Sequence, residues 1–417
     1  MTRRPRQRLR LALLRAFTRL APAPDPHRPP SAPQAARILV IRPDHLGDLL
    51  FTTPALRALR QRYRDAQITA LVGPWGAAVL SNNPHVDQVI ALAFPGFTRR
   101  PKSSPWQPYG LLRRWARGLR RQYDLAFILR FDHWWGALLA YLAGVPHRVG
   151  YAVPEVAPFL SHALPYDAER HEVEQNLRLI ASRFSGSETA AVGPTPNGPD
   201  ADSLAMARYA GVYLPGASYN DGRISPLGHP LEFHIPEQAN TWARDLLQTD
   251  RSIAIHPGAG AAVKLWQPER WATVADALAS ETGAPIVLTG SKAELSLCAE
   301  IAGRMEQPSR AVAGQTTLDQ LAALFAQCQL VLGLDSGPLH LAVAVGTPTI
   351  HLYGPVAQAT FGPWGAPSRH RVLTSGWPCI PCNRLDYDPC ELASHPCVRE
   401  ISANRVLSAA RGALSSG

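Results

Sequence analysis

Short apolar runs, each closed by a polar or glycine-bearing turn and then by a stretch of helical periodicity, recur along this chain in two series. In the first series, residues 37–41 (RILVI), 67–72, 86–92, 124–129 and 148–151 read as strands, and 49–63, 111–122, 134–143 and 172–184 as helices. From 185 to about 235 the pattern dissolves into Gly, Pro, Ser and Asn, the composition of loops and a connection. It then restarts, with strands at 252–256, 285–289, 330–334 and 349–353 and helices at 268–280, 293–305, 317–326 and 338–345. Strands without an exposed polar face, alternating with helices, belong in a parallel sheet covered on both sides. Two such series predict two doubly wound α/β domains with a ligand cleft between them.

The first twenty residues carry Arg3, Arg4, Arg6, Arg8, Arg10, Arg15 and Arg19, a large share of the formal net charge of +10. Leu9, Leu13, Phe17 and Leu20 lie between them at near-helical spacing, as in a basic amphipathic element for a membrane surface or an anionic partner. A solvated, frayed terminus fits the same residues. The segment is too short and too charged to span a bilayer, and it lacks a secretory cleavage pattern. Six prolines between 22 and 33 form a stiff linker. The expected division is therefore a basic and Pro-rich segment 1–35, a first α/β domain with linker 36–235, and a second α/β domain with a Cys-rich tail 236–417.

The turns hold the candidate chemistry. LVLGLDSGPLHL (330–341) runs from strand to helix through Asp335, Ser336 and Gly337, and the unpaired N–H groups of such a helix start attract phosphate. An ordinary helix cap fits the same residues. After residues 252–256 comes the small-residue loop HPGAGAAVK, in which Gly258 and Gly260 admit a ligand close to the backbone and Lys264 supplies positive charge. Glu294, in LTGSKAE, fits a ribose hydroxyl pair or a first-turn acid. In the first series, IRPDHLGD places Asp48 near a helix start, where the helix dipole is expected to keep it ionised and able to act as a general base. No G-x-G-x-x-G dinucleotide turn and no G-K-[ST] P-loop follows a strand.

RILVIRPDHLGDLLFTTPALRAL, HPGAGAAVKLWQPERW, LTGSKAEL and LGLDSGPLHLAVAVGTPTIHLYGP, four separated motifs in order, together resemble glycosyltransferase family 9, the heptosyltransferase family. The resemblance runs from about Arg37 to the C-terminus. It implies a GT-B fold with two Rossmann-like domains and inverting transfer without a catalytic metal or required cofactor. The donor it implies is ADP-heptose and the acceptor lipopolysaccharide core, an anionic glycolipid. It assigns Asp48 as catalytic base. It assigns Gly258, Gly260, Lys264, Glu294, Thr316, Asp335, Ser336, Gly337 and His340 to the donor, with Thr316 at the adenine pocket. Arg42, Asp44 and His45 are expected at the acceptor. One departure is the loop before Lys264, where family members can carry hydroxyl side chains and this chain has Ala259 and Gly260. That departure motivates one alternative, another nucleotide sugar or acceptor on the same fold; a further alternative is a non-catalytic nucleotide-sugar-binding protein, against which the retention of Asp48, Lys264 and Asp335 argues.

Cys379, Cys382, Cys390 and Cys397 form C-x2-C-x7-C-x6-C, a spacing open to structural zinc, to disulfides or to reduced packing. Arg99, Arg100, Lys102, Arg113, Arg114, Arg117, Arg120 and Arg121, with Trp106, Tyr109 and Trp115, form a basic aromatic region suited to an anionic glycolipid. No nucleic-acid-binding module is recognisable, so nucleic acid is not an expected partner. The expected location is cytoplasmic, at the inner face of the cytoplasmic membrane.

Overall fold

The computed structural model describes residues 37–98, 106–182, 225–388, 391–392 and 395–415. The basic N-terminal segment, Arg99, Arg100, Lys102 and Cys390 lie outside the described residues. The first sheet contains β1 (Arg37–Arg42), β2 (Gln67–Val72), β3 (Gln88–Ala91), β4 (Leu125–Ile128), β5 (His147–Tyr151) and β6 (His162–Leu164), ordered β3-β2-β1-β4-β5-β6. The second contains β7 (Ile253–His256), β8 (Ile286–Leu288), β9 (Ser309–Ala311), β10 (Leu330–Leu334), β11 (Thr349–Leu352) and β12 (His370–Leu373), ordered β12-β11-β10-β7-β8-β9. All strand pairs are parallel. Each sheet thus has the doubly wound arrangement, and the order reverses between β1 and β4 and between β7 and β10. Ligands of such sheets bind at the carboxyl ends of the strands flanking that reversal.

The central strands are apolar on both faces because helices cover both. Ile38, Leu39, Val40 and Ile41 of β1 are buried, as is every residue of β10. The strands unforeseen in the sequence, β6, β9 and β12, are edge strands of three or four residues, all but the buried His370 at least partly exposed. Two helices of more than ten residues were also unforeseen. Glu237–Leu247 packs on Leu318–Ala326, and Ala403–Leu414 packs on Pro268–Thr282.

The expected single helix over 49–63 is two, Leu46–Leu50 and Thr53–Arg62. Pro54 has no N–H to continue the ladder. The hydroxyls of Thr52 and Thr53 donate instead to the carbonyls of Leu49 (2.6 Å) and Leu50 (2.8 Å). This break turns the short first helix toward the second domain, where it packs against helix Gly337–Ala344. The apolar core continues across the junction, with Leu49, Phe51, Leu339 and Leu341 in one cluster. A second joint lies nearby, where His171 Nε2 is 3.0 Å from the Gly362 carbonyl and its ring lies 4.6 Å from that of Trp364.

Candidate active site

β1 ends in Arg42, whose side chain is only 2% exposed. Its Nε lies 2.6 Å from Asp44 Oδ2, its Nη1 donates to Glu172 Oε1 at 2.7 Å and to Asn176 Oδ1 at 3.3 Å, and its Nη2 lies 3.6 Å from Asp48 Oδ1. Arg130, just beyond β4, pairs with the same Asp44 and with Asp132 at 2.5 Å. Two guanidiniums and several carboxylates therefore interlock at the reversal point of the first sheet. Burial alone raises the Asp44 carboxyl, but Arg42 and Arg130 together outweigh it and hold Asp44 below its ordinary value. Burial pushes the enclosed His133 down to about 3, so this ring is neutral.

Asp48 sits at the rim of this network with 30% of its side chain exposed, open to a reactant. Desolvation, then the Asp44 charge, push its carboxyl up to about 7 from 3.8, with Arg42 pulling the other way. This corrects the expectation that the helix dipole keeps Asp48 fully ionised. A helix of five residues offers a weak dipole, and protein surroundings with a neighbouring carboxylate outweigh it. A carboxyl that titrates near neutrality suits proton abstraction. Arg42 and Asp44, expected at the acceptor, are instead almost fully buried beneath Asp48 and bonded to one another. His45 is exposed, its ring 5.3 Å from that of Trp75, whose indole N–H donates to the carbonyls of Pro43 and Asp44.

In the second domain the loops after β7, β8, β9 and β10 share one edge because the strands are parallel. Lys264, in a single 3-10 turn, donates to Asp335 Oδ2 at 2.6 Å, and both side chains are largely buried (12% and 8% exposed). Ser336 is the N-cap of helix Gly337–Ala344, yet its side chain caps nothing and its buried Oγ has no hydrogen-bond partner. Glu294 completes a capping box, accepting from the Ser291 N–H at 2.6 Å. A Cβ on Gly258 would lie 1.7 Å from Glu294 Oε1, so glycine is what lets the loops after β7 and β8 touch. Around Gly260 there is open space. Thr316 is half-buried beyond β9, next to Thr317, which caps helix Leu318–Ala326.

The two glycine turns meet across the domain junction. A Cβ on Gly337 would lie 2.7 Å from Leu46 Cδ2 and 3.1 Å from the Gly47 nitrogen, and a Cβ on Gly47 would lie 3.1 Å from His340 Cδ2. Asp48, adjacent to Gly47, is thereby carried to the anion-attracting helix start of the other domain. His340 is buried at this contact, with its ring 4.6 Å from Phe51 and its Nδ1 unpartnered. Burial pushes it down to about 3, so the ring is a neutral imidazole.

Arg130 and Glu172 were not singled out in the sequence. The position of Arg130 just past an apolar strand was a usable signal, but nothing local marks Glu172, 130 residues from Arg42.

Two Rossmann-like domains, joined with their switch points facing and with a carboxylate, a cation and a helix start near the junction, have the GT-B arrangement. Residues 224–386 match the sequence model of glycosyltransferase family 9 (heptosyltransferase). Lipopolysaccharide heptosyltransferase 2 of Escherichia coli (strain K12) is 26% identical over 348 residues, 82% of this chain and 89% of that protein. The solved structure of E. coli ADP-heptose LPS heptosyltransferase II is similar with a TM-score of 0.67 at 24% identity, over 91% of this chain and 99% of that one. A glycosyl transferase family 9 structure from Veillonella parvula gives 0.68 at 23% identity, over 92% and 98%. The chain is a glycosyltransferase, similar to family 9 over residues 224–386 and to heptosyltransferases along most of its length.

Proposed function

We propose that this chain moves heptose from ADP-heptose to a lipopolysaccharide core acceptor in one inverting displacement that requires no metal. The observation that carries the reading is the seating of Gly47, next to Asp48, against the Gly337 helix start, in the domain that pairs Lys264 with Asp335. Asp48, ionised, takes the proton of an acceptor hydroxyl as its oxygen bonds to the anomeric carbon. The bond from that carbon to the diphosphate oxygen breaks, and ADP leaves with the electron pair. Lys264, the Ser336 hydroxyl and the free N–H groups of the helix start stabilise the charge on the leaving group. Gly258, Gly260, Glu294, Thr316 and His340 would line the remainder of the donor site. With Arg42 and Asp44 buried, His45 and Asp48 are the members of that loop that would meet the acceptor.

The reading divides the chain into an acceptor domain, 36–235, and a donor domain, 236–417. Arg113, Arg114, Arg117, Arg120 and Arg121 are exposed on and just after helix Gln107–Gly118, beside Trp106, which is 77% exposed. A basic aromatic face of this kind suits an anionic glycolipid at a membrane surface. Among the described residues no helix is long and apolar enough to cross a membrane. Structural zinc at the C-terminal cysteines belongs to the same reading. Cys379 and Cys382 are exposed and Cys397 is buried, all three as free thiols.

Calorimetry with ADP, UDP, GDP, CDP and dTDP, then with ADP-heptose, tests the donor. Selective binding of the ADP species, weakened in Lys264→Ala, is the expected result. The open space at Gly260 and the absence of hydroxyls at Ala259 and Gly260 favour a second reading, a different nucleotide sugar on the same site. Preference for another base would establish that one, and no binding to any would move a non-catalytic role forward.

A further inference from the structure

Away from the sugar-transfer site, the segment entering the second domain passes along the first one. In Leu231-Glu232-Phe233-His234 the apolar residues are buried, and Glu232 and His234 alternate to the other side, as extended backbone dictates. There they meet His85, from the loop before β3. The ligand-type atoms of His85, Glu232 and His234 all lie within 4.8 Å of one another, and His85 Nε2 is 3.1 Å from Glu232 Oε2. His234 Nε2 is buried and has no hydrogen-bond partner.

We propose that His85, Glu232 and His234 form a binding site for one divalent transition-metal ion, with zinc as the probe that tests it. Two imidazoles and one carboxylate are a ligand set zinc accepts, with a further position left for water. Donor atoms at about 2.0–2.2 Å from a zinc ion are at most about 4.4 Å apart, so small side-chain rotations close the triangle. The surroundings already hold two of the ligands in place. Arg57 pairs with Glu232 Oε1 and leaves Oε2 turned to the histidines. The Glu232 N–H donates to the buried Thr53 hydroxyl at 2.9 Å, and the His85 N–H donates to Asn83 Oδ1 at 2.9 Å. These bonds fix the backbone that carries the two side chains. A simple His85–Glu232 hydrogen bond accounts for two of the three residues and leaves the buried His234 nitrogen unexplained.

The position gives the ion a structural consequence. The same segment is bonded to the second domain, where Trp364 Nε1 donates to the His229 carbonyl at 2.7 Å. A metal at His85, Glu232 and His234 would clip it to the first domain as well, at the passage between the two. The inference stands independently of the sugar transferred.

The test is zinc titration by calorimetry on the full chain, stripped with chelator and dialysed, in a Cys379→Ser/Cys382→Ser background that removes the thiol source. One zinc per chain is expected there, weakened by more than about tenfold in His85→Ala and in His234→Gln. Cobalt in place of zinc should show weak visible bands without thiolate charge transfer. Circular dichroism matching the parent separates ligand loss from misfolding, and the two histidine variants lie on different segments, so one failing to fold leaves the other decisive. Absence of zinc binding in that double-serine background, or binding unchanged in a folded histidine variant, would overturn the proposal.

Discussion

Replacing Asp48 by Asn keeps the shape of the side chain and removes its titration. In the folded chain Asp48 titrates at about 7, above its ordinary 3.8. Between those values the folded chain holds a proton that the unfolded chain has released. Its contribution to stability is full below about pH 4 and is lost as pH rises through about 7. At about 1.36 kcal/mol per pH unit the whole gap is worth about 4 kcal/mol. Asp48 keeps part of its hydration at 30% exposure, which brings the net cost of ionising it to about 2 kcal/mol. The asparagine variant, which cannot ionise, carries no such cost. Asp48→Asn should therefore melt about 4–8 °C higher than the parent at pH 8, and the difference should shrink steadily toward pH 5. The same substitution should lower kcat by about 10²–10⁴-fold, the usual contribution of a general base. Paired melting curves from pH 5 to 8 and turnover at pH 8 are the assays. An unchanged melting difference across that range, or a variant less stable than the parent at pH 8, would refute the account of Asp48 as a desolvated carboxyl beside Asp44. Retained turnover would refute its role as base.

For the parent, kcat/KM should rise with pH with an apparent pKa near 7, since the base must be ionised, and a pH–rate profile checks it. Lys264→Ala leaves the largely buried Asp335 unpaired and should cost about 3–5 kcal/mol of stability besides weakening ADP binding, both measurable on one preparation by denaturation and calorimetry. Gly258→Ala places a methyl against Glu294 and should cost about 1–3 kcal/mol while displacing that carboxylate, read as a lower melting point and weaker ADP binding. Arg42→Met strips Asp44 and Glu172 of their shared buried cation, and chemical denaturation should show a loss of about 3–5 kcal/mol.

Much of the fold is legible in the sequence because its signals are local. The strands at β1, β2 and β10 stand at or within one residue of the expected runs, since an unbroken apolar run has no place except between two helical layers. Edge strands such as Ser309–Ala311 carry no such run, being half solvated, and so gave no signal. The helix break at Phe51–Thr52 was foreshadowed by Pro54, which the periodicity of the flanking leucines masked.

The candidate site divides along the same line. Glycine turns at strand ends, with Lys264, Asp335, Ser336 and Asp48 beside them, can be read directly, because a turn of this kind is encoded within a few residues. That Lys264 meets Asp335, 71 residues away, and Arg42 meets Glu172, 130 away, follows only from the parallel sheets bringing those strand ends to common edges. The burial of Arg42 and Asp44 and the neutral-range titration of Asp48 likewise depend on how much water the assembled domains exclude. A chain's periodicity and turn chemistry are properties of neighbouring residues and survive in the sequence. Desolvation and charge pairing arise between residues that only the tertiary structure brings together, and here they decide which of the sequence's candidate groups carry charge, which stay neutral and which are sealed in the core.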